Sequence, residues 1–153
     1  MISFSTAGVK VKYAVETTAG TRPTTGYTEI QGITSTPDFG MEPNMLDSTT
    51  LSATEYKEFT KGLKDPSSAN AYGLNLNDSV MTAWDTMCSA ASTAIAAGKK
   101  CWFEISHPKL AKSFFFAGDP APLGLSGMEV DTVLQTQAYI VPTEVVGWAT
   151  AST

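Results

Sequence analysis

Catalysis in a chain of this size has to start from its nucleophiles, acids and bases, and His107 is the only histidine. A serine–histidine or cysteine–histidine couple would have to be built around it. It stands before Pro108 in the run HPKLA, and a polar turn residue is the favoured reading because no second catalytic group converges on that stretch. GLSG at 124–127 begins like a nucleophile elbow, but Met128 stands where the pattern needs glycine, so the run reads as a turn. Cys88 and Cys101 are the only cysteines and lack CxxC spacing. Two buried thiols are expected rather than a redox pair or a metal site. Asp38, Glu42 and Asp47 do not follow the alternating oxygen donors and central glycine of a calcium loop. No GxxxxGK[ST] or GxGxxG run cradles phosphate, and no carboxylate pair stands out as an acid/base couple. The expectation is a protein that is not an enzyme, with no catalytic, cofactor-binding or metal site.

The elements around these residues are mostly strands. VKVKYAV at 9–15 alternates Val9, Val11, Tyr13 and Val15 against Lys10 and Lys12, the period-two pattern of a half-buried strand. The turn formers of 17–26 lead to a second strand at 27–33, which suggests a hairpin with a long tip. AYGLNLN at 71–77, KCWFEIS at 100–106, KSFFFAG at 112–118, an alternating run at 127–142 and EVVGWA at 144–149 read as further strands. One helix is expected at about residues 78–97. Asn77, Asp78 or Ser79 can cap it, and Gly98 with Lys99 and Lys100 marks its end. Val80, Trp84, Met87, Cys88, Ala91 and Ile95 fall on one stripe at helical spacing, read as a packing face rather than a cofactor site. The fold class is therefore mainly β: a β-sandwich or barrel with one flanking helix, and a long extended loop at about 34–65.

Composition narrows the class of partner. The 153 residues suit a single domain spanning 1–153, and 42% are hydrophobic. Only 16% are charged, against about 25% in typical soluble proteins, which leaves surface for extensive subunit contacts. The formal net charge is −5 and Arg22 is the only arginine, so the chain should repel nucleic acid rather than grip it. MISFSTAGVKVKYAV has no basic segment followed by an apolar one, and no run reaches the ~18 apolar residues of a membrane span. A cytoplasmic product without a membrane partner is expected.

TPDFGMEPNMLD at 36–47 is the unusual stretch. Pro37, Gly40 and Pro43 break any helix or central strand, yet Phe39, Met41, Met45 and Leu46 are apolar. The expectation is that these four are exposed in the free subunit and covered by another chain, with Pro37 and Pro43 stiffening the arm; folding back onto the subunit's own sandwich is the alternative. The following EYKEFTKGLKD at 55–65 reads as polar and extended, outside the core.

GITSTPDFGMEPNMLDSTTL, then EYKEFTKGLKD, the helix, WFEIS and MEVDTVLQTQAYIVPTEVVGW follow one another in an order and spacing that resembles the major tail protein, or tail tube protein, of long non-contractile-tailed bacteriophages. The resemblance covers nearly the whole chain. Its most specific pieces are the stretch from PDFGMEPNMLDSTTL to KGLKD and the terminal EVD…YIVPTE. It implies a β-sandwich subunit with a flanking helix, six copies closing into a ring, and rings stacking into a tube through which the genome is ejected. It also implies that the loop at 34–65 reaches a neighbouring subunit or ring. The implied partners are the chain itself and the tail terminator, tape-measure and tail-tip proteins, with phage DNA passing without specific binding. The implied location is the virion, after assembly in the host cytoplasm. Six copies at −5 each would give a ring of −30, a wall along which DNA slides. Two rival readings are a tube or terminator protein of a related injection machine and an immunoglobulin-like adhesion module.

Overall fold

A computed structural model describes residues 2–39, 43–52, 54–64 and 70–153, with side chains described for all of these except 43–44, 62–64 and 70. The element order is β1 (Lys10–Val15), β2 (Thr28–Glu29), β3 (Ile33–Ser35), β4 (Pro43–Asp47), β5 (Phe59–Lys64), β6 (Asn70–Asn75), α1 (Asp78–Ala96), β7 (Cys101–Ser106), β8 (Lys112–Pro120) and β9 (Gln135–Thr150). The chain forms two compact units, one from Met1–Pro37 with Ser68–Thr153 and a smaller one from Asp38–Ser67.

The larger unit is a curled seven-stranded sheet in the order β2-β1-β7-β8-β9-β6-β3, with antiparallel pairing throughout and α1 packed on β8, β1 and β7. This is the mainly β architecture with one flanking helix that the sequence predicts. β7 shows that the centre of the sheet is buried on both faces: Cys101, Trp102, Phe103 and Glu104 are all buried in succession. Phe103 faces its partner Phe116 on β8, and their rings stack with centroids 5.2 Å apart. On the other face, Phe115 lies opposite Glu104 and is covered by Arg22, whose guanidinium carbon is 4.2 Å from the ring centroid, and by the edge of Tyr27. The hydroxyl and backbone N–H of Ser152 both donate to the Glu104 carboxylate, so the C-terminal tail closes that face.

Helix α1 starts where Asn77, in extended conformation, accepts from the Val80 N–H at 2.9 Å through its side-chain oxygen. Val80, Trp84, Met87, Ala91 and Ala94 are its buried residues. Trp84 donates its indole N–H to the Ala121 carbonyl at 2.9 Å, and Cys88 is half-buried against the same carbonyl. The predicted stripe differs at its last turn: Ile95 is 44% exposed and Ala94 is 3% exposed. The buried spacing alternates four and three residues, so the seam stays near a 3.5 period and selects Ala94 rather than Ile95.

Gly32 is where the sheet edge meets the helix. Its φ of 80° favours glycine, and a Cβ there would stand 2.8 Å from Val80 Cγ2 and 2.9 Å from the Asn75 carbonyl oxygen. The expected strand at 27–33 is accordingly split into β2 and β3, which sit at opposite edges of the sheet. β9 is one continuous strand across residues expected to form two, while 127–134 lie outside it. Pro142 fits because it lies beyond Ile140, the last β9 residue paired with β6, and beside a register shift on the β8 side.

Candidate assembly surfaces

The Asp38–Ser67 unit contains a two-stranded antiparallel ribbon within the segment expected to be long and extended. β4 and β5 pair through Met45 with Lys61, Leu46 with Thr60 and Asp47 with Phe59, after a register shift between Pro43 and Met45. Proline at the first position of a strand with a free edge removes no ladder hydrogen bond on that side. Beyond the strands, Asp47 accepts from the Thr49 N–H at 3.0 Å, and Thr49 Oγ1 accepts from the Glu58 N–H at 2.8 Å. The two hydrogen bonds with Thr49 hold the Asp47 carboxyl below the usual aspartate range.

The predicted arm residues fall in different environments. Met45 is 66% exposed and Leu46 is 56% exposed. Pro37 and Phe39 are half-buried, so Phe39 departs from the expectation of full exposure. Pro43 begins β4, and Met41 lies outside the described residues. Leu51 is also exposed, as are Tyr56 and Phe59, which the polar reading of 55–65 passed over. Phe59 and Met45 share one face of the ribbon, while Leu46 presents the other. The signal for β5 was the alternation of Phe59 and Leu63 with Lys61 between them on the same face, which breaks the apolar pattern.

A second apolar surface lies on the larger unit. Phe4, Val9, Ile105, Leu110 and Trp148 line a groove of about 250 Å³ at the end of the sheet where β7 turns into β8. Trp148 is 60% exposed and meets Phe114 edge-on. His107 holds one wall: its Nδ1 accepts from the Lys109 N–H at 3.1 Å, so Nε2 donates to the Ser5 carbonyl at 2.7 Å. Its ring also stacks on Phe4. Both nitrogens of the single histidine are thus engaged in tying the N-terminal segment to a turn.

Ser126, the serine of GLSG, lies in the irregular stretch after β8 and has no strand-to-helix turn around it. Burial pushes the Cys101 thiol up to about 12, and burial followed by Asp85 and Asp119 raises that of Cys88. Among the described residues no three His, Cys, Asp or Glu side chains form a group that could hold a metal ion. Among them, too, no helix is long and apolar enough to cross a membrane.

No protein-family model matches the chain, and no curated protein sequence matches it. Among solved structures, it is similar to a chain in the cryo-EM structure of the anti-feeding prophage (AFP) baseplate, 6-fold symmetrised. The TM-score is 0.56 over 95% of each chain, at 7% sequence identity. The chain shares its fold with that baseplate component.

Proposed function

We propose that this protein is a structural virion subunit whose copies close into hexameric rings that stack into a phage tail tube, the conduit for DNA ejection. The observation that carries the reading is the β4–β5 ribbon, which holds Met45, Leu46, Leu51, Tyr56 and Phe59 exposed. A two-stranded ribbon is marginally stable alone, and exposed strand edges with apolar side chains are stabilised by another chain. The fold shared with a chain of a six-fold symmetrised prophage baseplate supports ring assembly in an injection machine. Heterologous contacts close a ring by rotation and extend a stack by translation, which requires two different adhesive surfaces on each subunit.

In this reading the partners are further copies of the chain and the tail terminator, tape-measure and tail-tip proteins. Subunits assemble in the host cytoplasm and end in the virion. DNA passes without specific binding past a wall whose subunits each carry a net charge of −5. The chain has no catalytic role, needs no cofactor, and its single histidine serves structure. A second reading, a baseplate or connector component of a related injection machine, is favoured by the same structural neighbour. Negative-stain microscopy of the purified protein separates them: tubes of unlimited length support the tube, and single rings support the connector. A persistent monomer at high concentration overturns both.

A further inference from the structure

We infer that the subunit carries a binding groove for a neutral oligosaccharide on the exposed face of β3, β6 and β9, walled on one side by residues 126–134. The groove lies within the larger unit, needs no second copy and holds about 700 Å³, a volume that takes a ligand of a few sugar rings. Its floor is a row across three strands: Gln137 pairs with Gly73, and Gly73 with Ser35. A Cβ at Gly73 would stand 2.5 Å from Ser35 Oγ and 2.8 Å from Thr34 Oγ1, so the glycine keeps the floor low and lets both hydroxyls lie over it. Tyr139, 41% exposed, continues the floor as an aromatic platform. The wall, which includes Ser126 and Gly127 of GLSG, is fixed at both ends. Thr136 Oγ1 donates to the Gly124 carbonyl at 2.8 Å, and the Leu76 N–H to the Leu134 carbonyl at 2.9 Å.

Hydrogen bonds within the subunit set which polar groups remain for a ligand. Tyr139 donates its hydroxyl to Gln137 Oε1 at 3.0 Å, which leaves the Gln137 amide nitrogen to donate. Gln135 Nε2 donates to Asn75 Oδ1 at 3.0 Å, which leaves Gln135 Oε1 to accept. Ser35 Oγ accepts from the Gly73 N–H at 3.1 Å and keeps its own proton to donate. Neighbouring donors and acceptors match sugar hydroxyls, each of which does both. Exposed Met128 and Val133 offer apolar contact to the C–H faces of the rings. Charge excludes other ligand classes. Glu129 is the only charged lining residue, Asp131 stands in the same wall, and no lysine or arginine follows Lys112. An anion therefore meets no countercharge, and no group of three acidic or metal-ligating side chains forms a cation site among the described residues. The groove at Phe4 and Trp148 is apolar by comparison. The one beside Ile95, Lys99 and Lys100 holds only about 220 Å³, and Lys100 is already paired with Glu144.

The test is saturation-transfer difference NMR on dilute subunits, with maltotriose and triacetylchitotriose as probes. At least one of the two binds saturably, with a Kd of about 1 mM or tighter. Tyr139→Ala removes the platform and Gln137→Ala the donor, and each weakens binding by about fivefold or more. Gln137→Glu, which keeps the size of the side chain and replaces its donor by an acceptor, weakens it as well. Both positions are exposed, and a cooperative urea transition checks that each variant is folded. Trigalacturonate, an acidic trisaccharide, binds the unmodified chain about tenfold more weakly than the better neutral sugar, and Glu129→Lys narrows that gap. Failure of both neutral sugars to bind overturns the site, as does binding that the Tyr139 and Gln137 variants leave unchanged. A glycine–serine peptide of similar size that binds equally well also overturns it, because the groove then reads backbone amides rather than hydroxyls. All of these readouts come from single subunits, so they stand or fall apart from ring formation.

Discussion

The indole N–H of Trp102 donates to Glu16 Oε1 at 2.8 Å, joining a carboxylate that is 2% exposed to a strand 86 residues away in sequence. Gly20 N–H donates to the other oxygen of the same carboxylate at 2.9 Å. Burial by itself raises the pKa of Glu16, but the hydrogen bonds from Trp102 and from the backbone of Gly20 and Lys100, with the nearby Lys100 charge, outweigh it and hold the carboxyl below the usual glutamate range. A carboxyl whose pKa is lower in the folded state contributes stability that is complete above its unfolded value and lost as pH falls through the folded one. Urea unfolding followed between pH 7 and pH 3 should therefore show the acid loss of stability shrink in Glu16→Gln. At pH 7 that variant should be less stable by about 1–3 kcal/mol, since its amide cannot accept from both donors.

Trp84 should be the most costly helix position to truncate. It is 1% exposed and its N–H is satisfied by the Ala121 carbonyl. Trp84→Ala should cost about 3–5 kcal/mol in urea denaturation and Trp84→Phe about 1–2, the second reporting mainly the carbonyl left unpaired. Ile95→Lys should lie within about 0.5 kcal/mol of the unmodified chain, whereas Ala94→Leu should cost about 1–3 by overpacking. Equal costs at 94 and 95 would contradict the seam described for α1.

The contrast between these two positions shows what the sequence makes legible. The helix and four members of its buried stripe follow from periodicity, because a helix packed on a sheet has one apolar side, while the sequence offered Asn77, Asp78 and Ser79 alike as its cap. Ala94 was hidden because alanine gives little hydropathy signal, and only the closeness of sheet and helix buries it. The ribbon was hidden for the opposite reason. Two strands without a covering layer have no dry side, so Phe59, Lys61 and their neighbours show no contrast that marks a strand. The groove was illegible because Phe4, Leu110 and Trp148 come together only through the sheet's pairing and the His107 link to Ser5.

The two thiols should react in a fixed order. Cys101 is 1% exposed and held at about 12, so at pH 8 its thiolate is scarce and inaccessible; Cys88 is half-buried and raised less. A disulfide reagent at pH 8 should titrate Cys88 slowly and Cys101 only on unfolding, with both reacting at once in concentrated urea. Rapid modification of Cys101 in the folded protein would show that the first residues of β7 open.

His107 should matter for the N-terminal segment. Its loss in His107→Ala removes the Ser5 tie and the Phe4 stacking, and the expected cost is about 1–2 kcal/mol with faster proteolysis before Val9. The far-ultraviolet spectrum of the same variant should stay unchanged, because the sheet and α1 do not depend on that tie.

The ribbon should be the least protected paired region of the free subunit. Its strands bury little, its hydrogen bonds lie near water, and local opening needs little free energy where few apolar contacts are lost. Amide exchange of Met45 through Ser48 and Phe59 through Lys61 should be fast in the monomer, while Phe103 and Phe116 exchange only on global unfolding. In the assembled state the same ribbon amides should slow by about a hundredfold or more, because opening would then have to break the contact with a neighbour worth about 3 kcal/mol. The slowing should be absent in Leu46→Asp, which removes an anchor but leaves the larger unit folded. Ribbon amides that exchange equally slowly in monomer and assembly would mean that the ribbon is already covered within its own chain, and its exposed Met45 and Leu46 would need another explanation.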